Sequence, residues 1–298
     1  MTDSPPASWE LARGDEIVPG LIAMKLLGGG SAYEAYLTFD QKLYAPVVVK
    51  VVRPDLVGDD STLRGLEREC DLLQRLNHPA IVRGFRAALD PPRPYVMLEN
   101  LDGPRLSSLI RRHGPLPPHQ WLPLGIELAS AVHYLGEMGV VHLDVKPSNI
   151  IMGAPARLID LSVARTIERA GELTAPIGTD AYMAPEQCVP TRERRPGYAA
   201  DMWGIGATLY HALAGFRPFE RGSDADDATD AERWPQLVDE PRLLPEWIPD
   251  DLAKPVLACL DPDPAARPTP AALAEAIEPL MAALPKPRLG GWKPTLAS

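Results

Sequence analysis

Cysteine is scarce. Cys70, Cys188 and Cys259 are the only three in 298 residues, too few for a disulfide framework and too far apart for metal-ligand spacing. That scarcity predicts a reduced, cytoplasmic setting. Basic residues are outnumbered, with 30 Lys and Arg against 40 Asp and Glu, a formal net charge of −10. Gripping a phosphate backbone or an anionic membrane takes clustered Lys and Arg, so nucleic acid is not an expected partner. Long hydrophobic runs are missing as well. The most apolar stretch, residues 124–141, is broken by Glu127, His133 and Glu137, so no membrane insertion is expected. The start carries Asp3 and no basic residue, unlike a secretory signal. No internal repeat and no low-complexity block is found.

What is present describes a soluble globular chain. The hydrophobic fraction is 45% and the charged fraction 23%, enough to bury a sizeable core. At roughly 150 residues per domain, the length fits two domains or one large two-lobed one. The 34 prolines fall mostly between periodic segments, where they stiffen loops and stop helices.

Residues 1–15 lack periodicity and read as a flexible N-terminal segment. Residues 21–27 are apolar and end in Gly28, Gly29 and Gly30. Residues 33–39 alternate, and the Val-rich run 46–52 carries Lys50. Strand, glycine-rich turn, strand, loop, strand is an antiparallel meander. Residues 62–76 are helical, with Leu63, Leu66, Cys70, Leu73 and Leu76 at spacings of three and four. Two more extended segments, 81–88 and 94–98, follow. The first hundred residues thus hold five strands and one helix. After Leu101, Asp102 and Gly103 the pattern turns helical: 121–138 is amphipathic, and 202–213 is apolar almost all round, the mark of a buried helix. The acidic stretch 224–232 reads as a solvated loop or helix face. Residues 271–284 close the domain, and 285–298 form a tail.

Several residues have types and positions that suggest chemistry. Glycines between two strands let backbone N–H groups approach an anion, although Gly28–Gly30 alone also fits a plain turn. Lys50 alone fits a solvated strand end. Glu69 changes that reading, because it projects from the edge of the apolar stripe of its helix and a carboxylate turned toward a core needs a partner. Lys50 is the candidate. Residues 141–149 pack Asp144, Lys146 and Asn149 into one loop, offering a proton acceptor, a cation and a metal-ligating carbonyl. Asp160 follows the short apolar pair Leu158 and Ile159. With Asn149 it makes an oxygen pair suited to magnesium.

The order of these elements resembles the signature set of the protein kinases: glycine-rich turn, strand Lys50, helix Glu69, the 142–149 loop, Asp160, then Ala184, Pro185 and Glu186. Gly178 with Thr179, the run Asp201 to Gly204, and Arg267 extend the match over residues 21–284. The compact length and the phrase 76–82 are similar to bacterial kinases of the eukaryotic-like (Hanks) serine/threonine type. The resemblance implies an α+β, bilobal fold: a small antiparallel sheet with one key helix over 16–101, and a larger, mainly helical lobe over 102–284.

It also implies ATP and Mg²⁺, or Mn²⁺, between the lobes. Gly28, Gly29, Gly30 and Ser31 would cover the phosphates. Leu27, Ala35 and Val48 would lie above adenine and Ile151 below, with Glu99 to Leu101 as the hinge. Lys50, oriented by Glu69, would hold the α and β phosphates, and Asp160 with Asn149 the metal. Asp144 would take the acceptor proton and Lys146 would neutralise the moving phosphoryl group. Thr179 and Glu186 would belong to the substrate platform, with Glu186 paired to Arg267. The implied partner is a protein with Ser or Thr acceptors; a homodimer stays open.

Three positions depart from the pattern. Tyr33 stands at the third glycine, which implies altered turn stiffness. Leu143 replaces the arginine before Asp144 that pairs with an activation-loop phosphate in many relatives. Leu161 and Ser162 replace the usual Phe-Gly after Asp160. These departures keep a second reading in play, a pseudokinase acting as a binding or scaffold module. A small-molecule kinase is disfavoured by the platform from Thr179 to Glu186.

Overall fold

The structure is a computed structural model that describes residues 6–285. Its first lobe is a six-stranded antiparallel sheet in the order β1-β2-β3-β4-β6-β5. The strands are β1 (Glu16–Val18), β2 (Leu21–Gly29), β3 (Tyr33–Asp40), β4 (Ala45–Val52), β5 (Gly84–Ala88) and β6 (Tyr95–Glu99). The strand beyond the five expected is β1, whose three residues are too short to show a period. Strand β5 starts at Gly84 rather than residue 81. Ile81 instead forms a parallel bridge to Leu158, flanked by bonds from Val82 N–H to the Leu158 carbonyl (2.9 Å) and from Leu158 N–H to the Ala80 carbonyl (2.8 Å).

Strand alternation sorts this sheet into two faces. Glu34, Tyr36, Thr38 and Asp40 of β3 are buried, and Tyr36 joins a small core with Ile17, Leu21, Val47, Val49, Val51 and Met97. Tyr33 and Ala35 share the opposite face with Val48, Lys50 and Val52, as the β3–β4 register requires. Helix α1 (Asp60–Arg75) packs beside that face. It begins two residues before the expected start because the Asp59 carboxylate caps it, accepting from Thr62 N–H at 2.7 Å.

Residues 6–15 correct the expectation of a flexible N-terminal segment. The Trp9 indole donates to the Val52 carbonyl (2.8 Å), its backbone N–H donates to Glu34 (3.2 Å), and Arg53 donates to the Ala7 carbonyl (2.8 Å). The anchoring is tertiary, so no periodicity along the segment could announce it. Residues 1–5 of that segment, and all of the 285–298 tail but its first residue, lie outside the described residues.

The second lobe is helical: α2 (Leu106–His113), α3 (Pro118–Glu137), α4 (Ile167–Gly171), α5 (Pro185–Cys188), α6 (Tyr198–Ala214), α7 (Asp230–Arg233), α8 (Asp250–Cys259) and α9 (Pro270–Ala282). Helix α6 is buried almost all round, as its pattern predicts, and begins at Tyr198, so Asp201 lies inside its first turn. The acidic stretch 224–232 is largely exposed loop; only its end is helical, with Thr229 and Glu232 closing a capping box on α7. Two-residue strands β7 (Val140–Val141), β8 (Ile150–Ile151), β9 (Arg157–Leu158) and β10 (Arg165–Thr166) form two small ribbons beneath the first lobe, β7 with β10 and β8 with β9. No described helix is long and apolar enough to cross a membrane.

Candidate active site

Lys50 sits on β4 opposite Ala35, its ammonium 2.7 Å from Glu69 Oε2 and 2.7 Å from Asp160 Oδ1. The Glu69 side chain is 1% exposed, which answers the sequence argument that it needs a partner. Burial alone would lower the Lys50 pKa, but the two carboxylates outweigh it and hold it above the ordinary range. Burial pushes Glu69 up, with Lys50 opposing. At Asp160 burial is overcome by Lys50, and the carboxyl stays well below the usual range. Its side chain remains 37% exposed, open to the cleft.

The loop after β7 is pinned from below. Asp201 of α6 accepts from His142 N–H (2.7 Å) and Leu143 N–H (2.8 Å). Leu143 adopts φ +64° with its side chain buried. Asn149 donates both to the Asp144 carbonyl and to Asp144 Oδ2, each at 3.0 Å. With its amide protons engaged there, its side-chain oxygen is left for a cation. A bond from Ile159 N–H to the Asn149 carbonyl (2.8 Å) brings Asp160 alongside. One carboxylate and one amide oxygen are hard donors that fit Mg²⁺, which keeps its other positions for water and phosphate.

Asp144 is the hub of a second cluster. Lys146 Nζ lies 2.6 Å from Asp144 Oδ2 and 2.5 Å from Thr179 Oγ1, while the Thr179 hydroxyl donates to Asp144 Oδ1 at 2.7 Å. Below it, Arg267 forms a two-pronged bond to Glu186 at 2.7 and 2.9 Å, with both side chains buried. Glu186 is therefore spent on Arg267 and does not face the cleft.

At the rim, Gly28 has φ +132°, a conformation suited to glycine, and Gly29 lies so close to the Tyr33 carbonyl that a Cβ would collide at 2.3 Å. Ser31 is exposed at the tip of the turn, and Leu27 is 42% exposed. Ala35, Val48, Leu101 and Ile151 are half-buried, with Leu101 in the connection whose Arg105 bridges Ile151. The Glu99 side chain differs from a nucleotide contact. It accepts from Arg83 N–H (2.8 Å) and pairs with Arg157 (3.1 Å) and Arg83 (3.3 Å), while its own N–H donates to the Arg83 carbonyl (2.9 Å), so of its polar groups only the carbonyl is left for a ligand.

Three contributors escape the sequence reading. Gln187 donates to the Leu143 carbonyl (2.8 Å) and the Ile177 carbonyl (2.9 Å). Arg53 donates to the Gly30 carbonyl (2.8 Å) and pairs with Glu34 (3.2 Å). Tyr33 does more than stiffen a turn: its hydroxyl donates to the Thr62 carbonyl (3.0 Å) and its ring lies 4.6 Å from Lys50 Nζ. A polar residue placed against a buried lysine or carbonyl is a tertiary fact, and only the departure from glycine at 33 hinted at any of them.

A sheet lobe over a helical lobe, with a lysine–glutamate–aspartate junction facing an aspartate–lysine–asparagine loop, is the architecture of a nucleotide-dependent phosphotransferase. A family model for the protein kinase domain matches residues 21–277, and the chain belongs to that family. The chain is similar to the serine/threonine-protein kinase PknB of Mycobacterium tuberculosis, 32% identical over 250 residues, 80% of this chain and 39% of that protein. The PknB of Mycobacterium leprae is 34% identical over 203 residues, 65% of this chain and 32% of that one. A probable serine/threonine-protein kinase, PkwA of Thermomonospora curvata, is 34% identical over 233 residues, 76% and 30% of the two chains. The chain spans about a third of the length of these relatives.

Proposed function

We propose that this chain is an ATP- and magnesium-dependent protein serine/threonine kinase acting in the cytoplasm. The observation that carries the reading is Lys50 held 2.7 Å from both Glu69 and Asp160. That junction gives a triphosphate a fixed cation beside a metal-binding carboxylate. Bound at Asp160 and Asn149, Mg²⁺ would neutralise charge on the phosphate oxygens. Residues 16–101 would close over the nucleotide and 102–284 would present the acceptor, with Gly28, Gly29, Gly30 and Ser31 over the phosphates. Leu27, Ala35, Val48, Leu101, Ile151 and the Glu99 main chain would frame adenine.

In transfer, the acceptor oxygen bonds to the γ-phosphorus as the bond to the ADP oxygen breaks, and the hydroxyl proton passes to Asp144. Asp144 already accepts one threonine hydroxyl, from Thr179, so its carboxylate is set to orient another. Lys146 faces the same carboxylate and would offset charge on the moving group. Incubation with Mg-ATP and a basic protein substrate, read by mass spectrometry, should give phosphoserine or phosphothreonine on the substrate or on the chain itself. Nucleotide-dependent stabilisation of the fold with no phosphate transferred would instead favour a scaffold.

The departures fit an activation segment that stands without a phosphate on a catalytic-loop arginine. Leu143 is held through its backbone, by Asp201 at its N–H and Gln187 at its carbonyl, so its side chain is free to be apolar. The segment itself is anchored by Ala170 of α4, fully buried, and by Gln187 at Ile177. Alanine at Thr166 and Thr174, with Thr179 intact, should leave kcat within about threefold of wild type. Collapse of turnover to background in the alanine variant would defeat this reading.

A further inference from the structure

Tyr33 ties the glycine-rich turn to the helix that carries Glu69. It starts β3 on the cleft face, one pleat from Ala35 and therefore beside Lys50. Its hydroxyl reaches the Thr62 carbonyl in the first turn of α1, and its ring lies 4.6 Å from the Lys50 ammonium. The helix is shaped to receive it. Gly65 sits inside α1, where glycine weakens a helix, and a Cβ there would come within 3.0 Å of the Tyr33 hydroxyl oxygen. Three features, a bond, a ring contact and a glycine that clears the way, converge on one side chain.

We propose that Tyr33 is a positioning residue, a strap from the glycine-rich turn that keeps α1 seated and the Lys50–Glu69 pair closed before nucleotide arrives. This rests on the kinase reading above for its purpose, while the strap itself is a property of the free protein. An aromatic ring beside Lys50 attracts the ammonium in addition to its two carboxylates. Seating α1 in advance raises the fraction of molecules competent to bind, and apparent affinity scales with that fraction.

The test uses Tyr33→Phe, Gly65→Ala and the double variant, read by amide hydrogen exchange without nucleotide and by ATP kinetics. Tyr33→Phe keeps the ring and removes the bond to Thr62. Exchange over residues 62–70 should become about fivefold faster, the loss expected for one neutral hydrogen bond, with α6 unchanged. KM for ATP should rise in the same direction and kcat should hold, since saturating nucleotide reseats the helix. Gly65→Ala should mimic this even though alanine favours helix, because its methyl displaces the hydroxyl. In the Tyr33→Phe background the methyl meets no oxygen, so the double variant should be no worse than Tyr33→Phe alone. Unchanged exchange in α1, or additive effects of the two substitutions, overturns the proposal. Exchange needs no ATP, so a wild type that transfers no phosphate defeats the kinase reading and leaves this result to decide the strap.

Discussion

Asp144→Asn should lower phosphoryl transfer by roughly 10³-fold while nucleotide affinity stays within about twofold of wild type. The substitution keeps the shape of the side chain and removes its charge and one acceptor. Asp144 now accepts from Thr179, Lys146 and Asn149 at 2.6–3.0 Å, and an amide cannot serve all three. A neutral amide also cannot take the acceptor proton. The nucleotide side is largely spared, because Lys50 bonds to Glu69 and Asp160 and not to Asp144, and Asn149 keeps its bond to the Asp144 carbonyl. The measurement is single-turnover transfer from radiolabelled ATP, with affinity from titration. Turnover within tenfold of wild type would remove Asp144 from the reaction, and a parallel loss of affinity would show that the loop had moved.

The second large effect concerns the fold. Arg267→Ala should destabilise the protein by roughly 3–5 kcal/mol, because Glu186 is left charged and buried without its partner. The arginine also donates to the Asp261 and Ala199 carbonyls, each at 2.8 Å, and lies against the Trp203 ring. Its removal therefore strands acceptors on three segments at once. Against a typical total of about 5–15 kcal/mol, much of the protein's margin would go. Denaturant unfolding should show a lower midpoint at similar slope. Replacing both partners by apolar residues of like size should cost less than the single change, since no unpaired charge remains. A loss under about 1 kcal/mol for Arg267→Ala would mean that water reaches Glu186.

The Lys50–Glu69 pair was legible in the sequence because burial leaves a trace in periodicity. Glu69 lies on the edge of an apolar stripe, and a carboxylate there demands a cation. Helix α6 was legible for the same reason, being apolar all round. Strand β1 was not, since three residues carry no period. The anchoring of residues 6–15 was hidden because Trp9 is held by Val52 and Glu34, 43 and 25 residues away. Glu99 shows the reverse case: its place in the chain suggests a hinge, but only the fold reveals that its carboxylate turns to Arg83 and Arg157. Gln187 follows a recognisable motif, yet nothing local tells that its amide joins two loops.

The bonds between Ala80, Val82 and Leu158 bear on how the cleft can breathe. Together with Glu99 clasping Arg83 and Arg157, they stitch the lobes along the rear, on a line behind the hinge connection. A mouth sewn at the back opens by rotation about that seam, and the displacement grows toward the front. Rotation about such a seam would carry the glycine-rich turn furthest and the floor under Asn149 least.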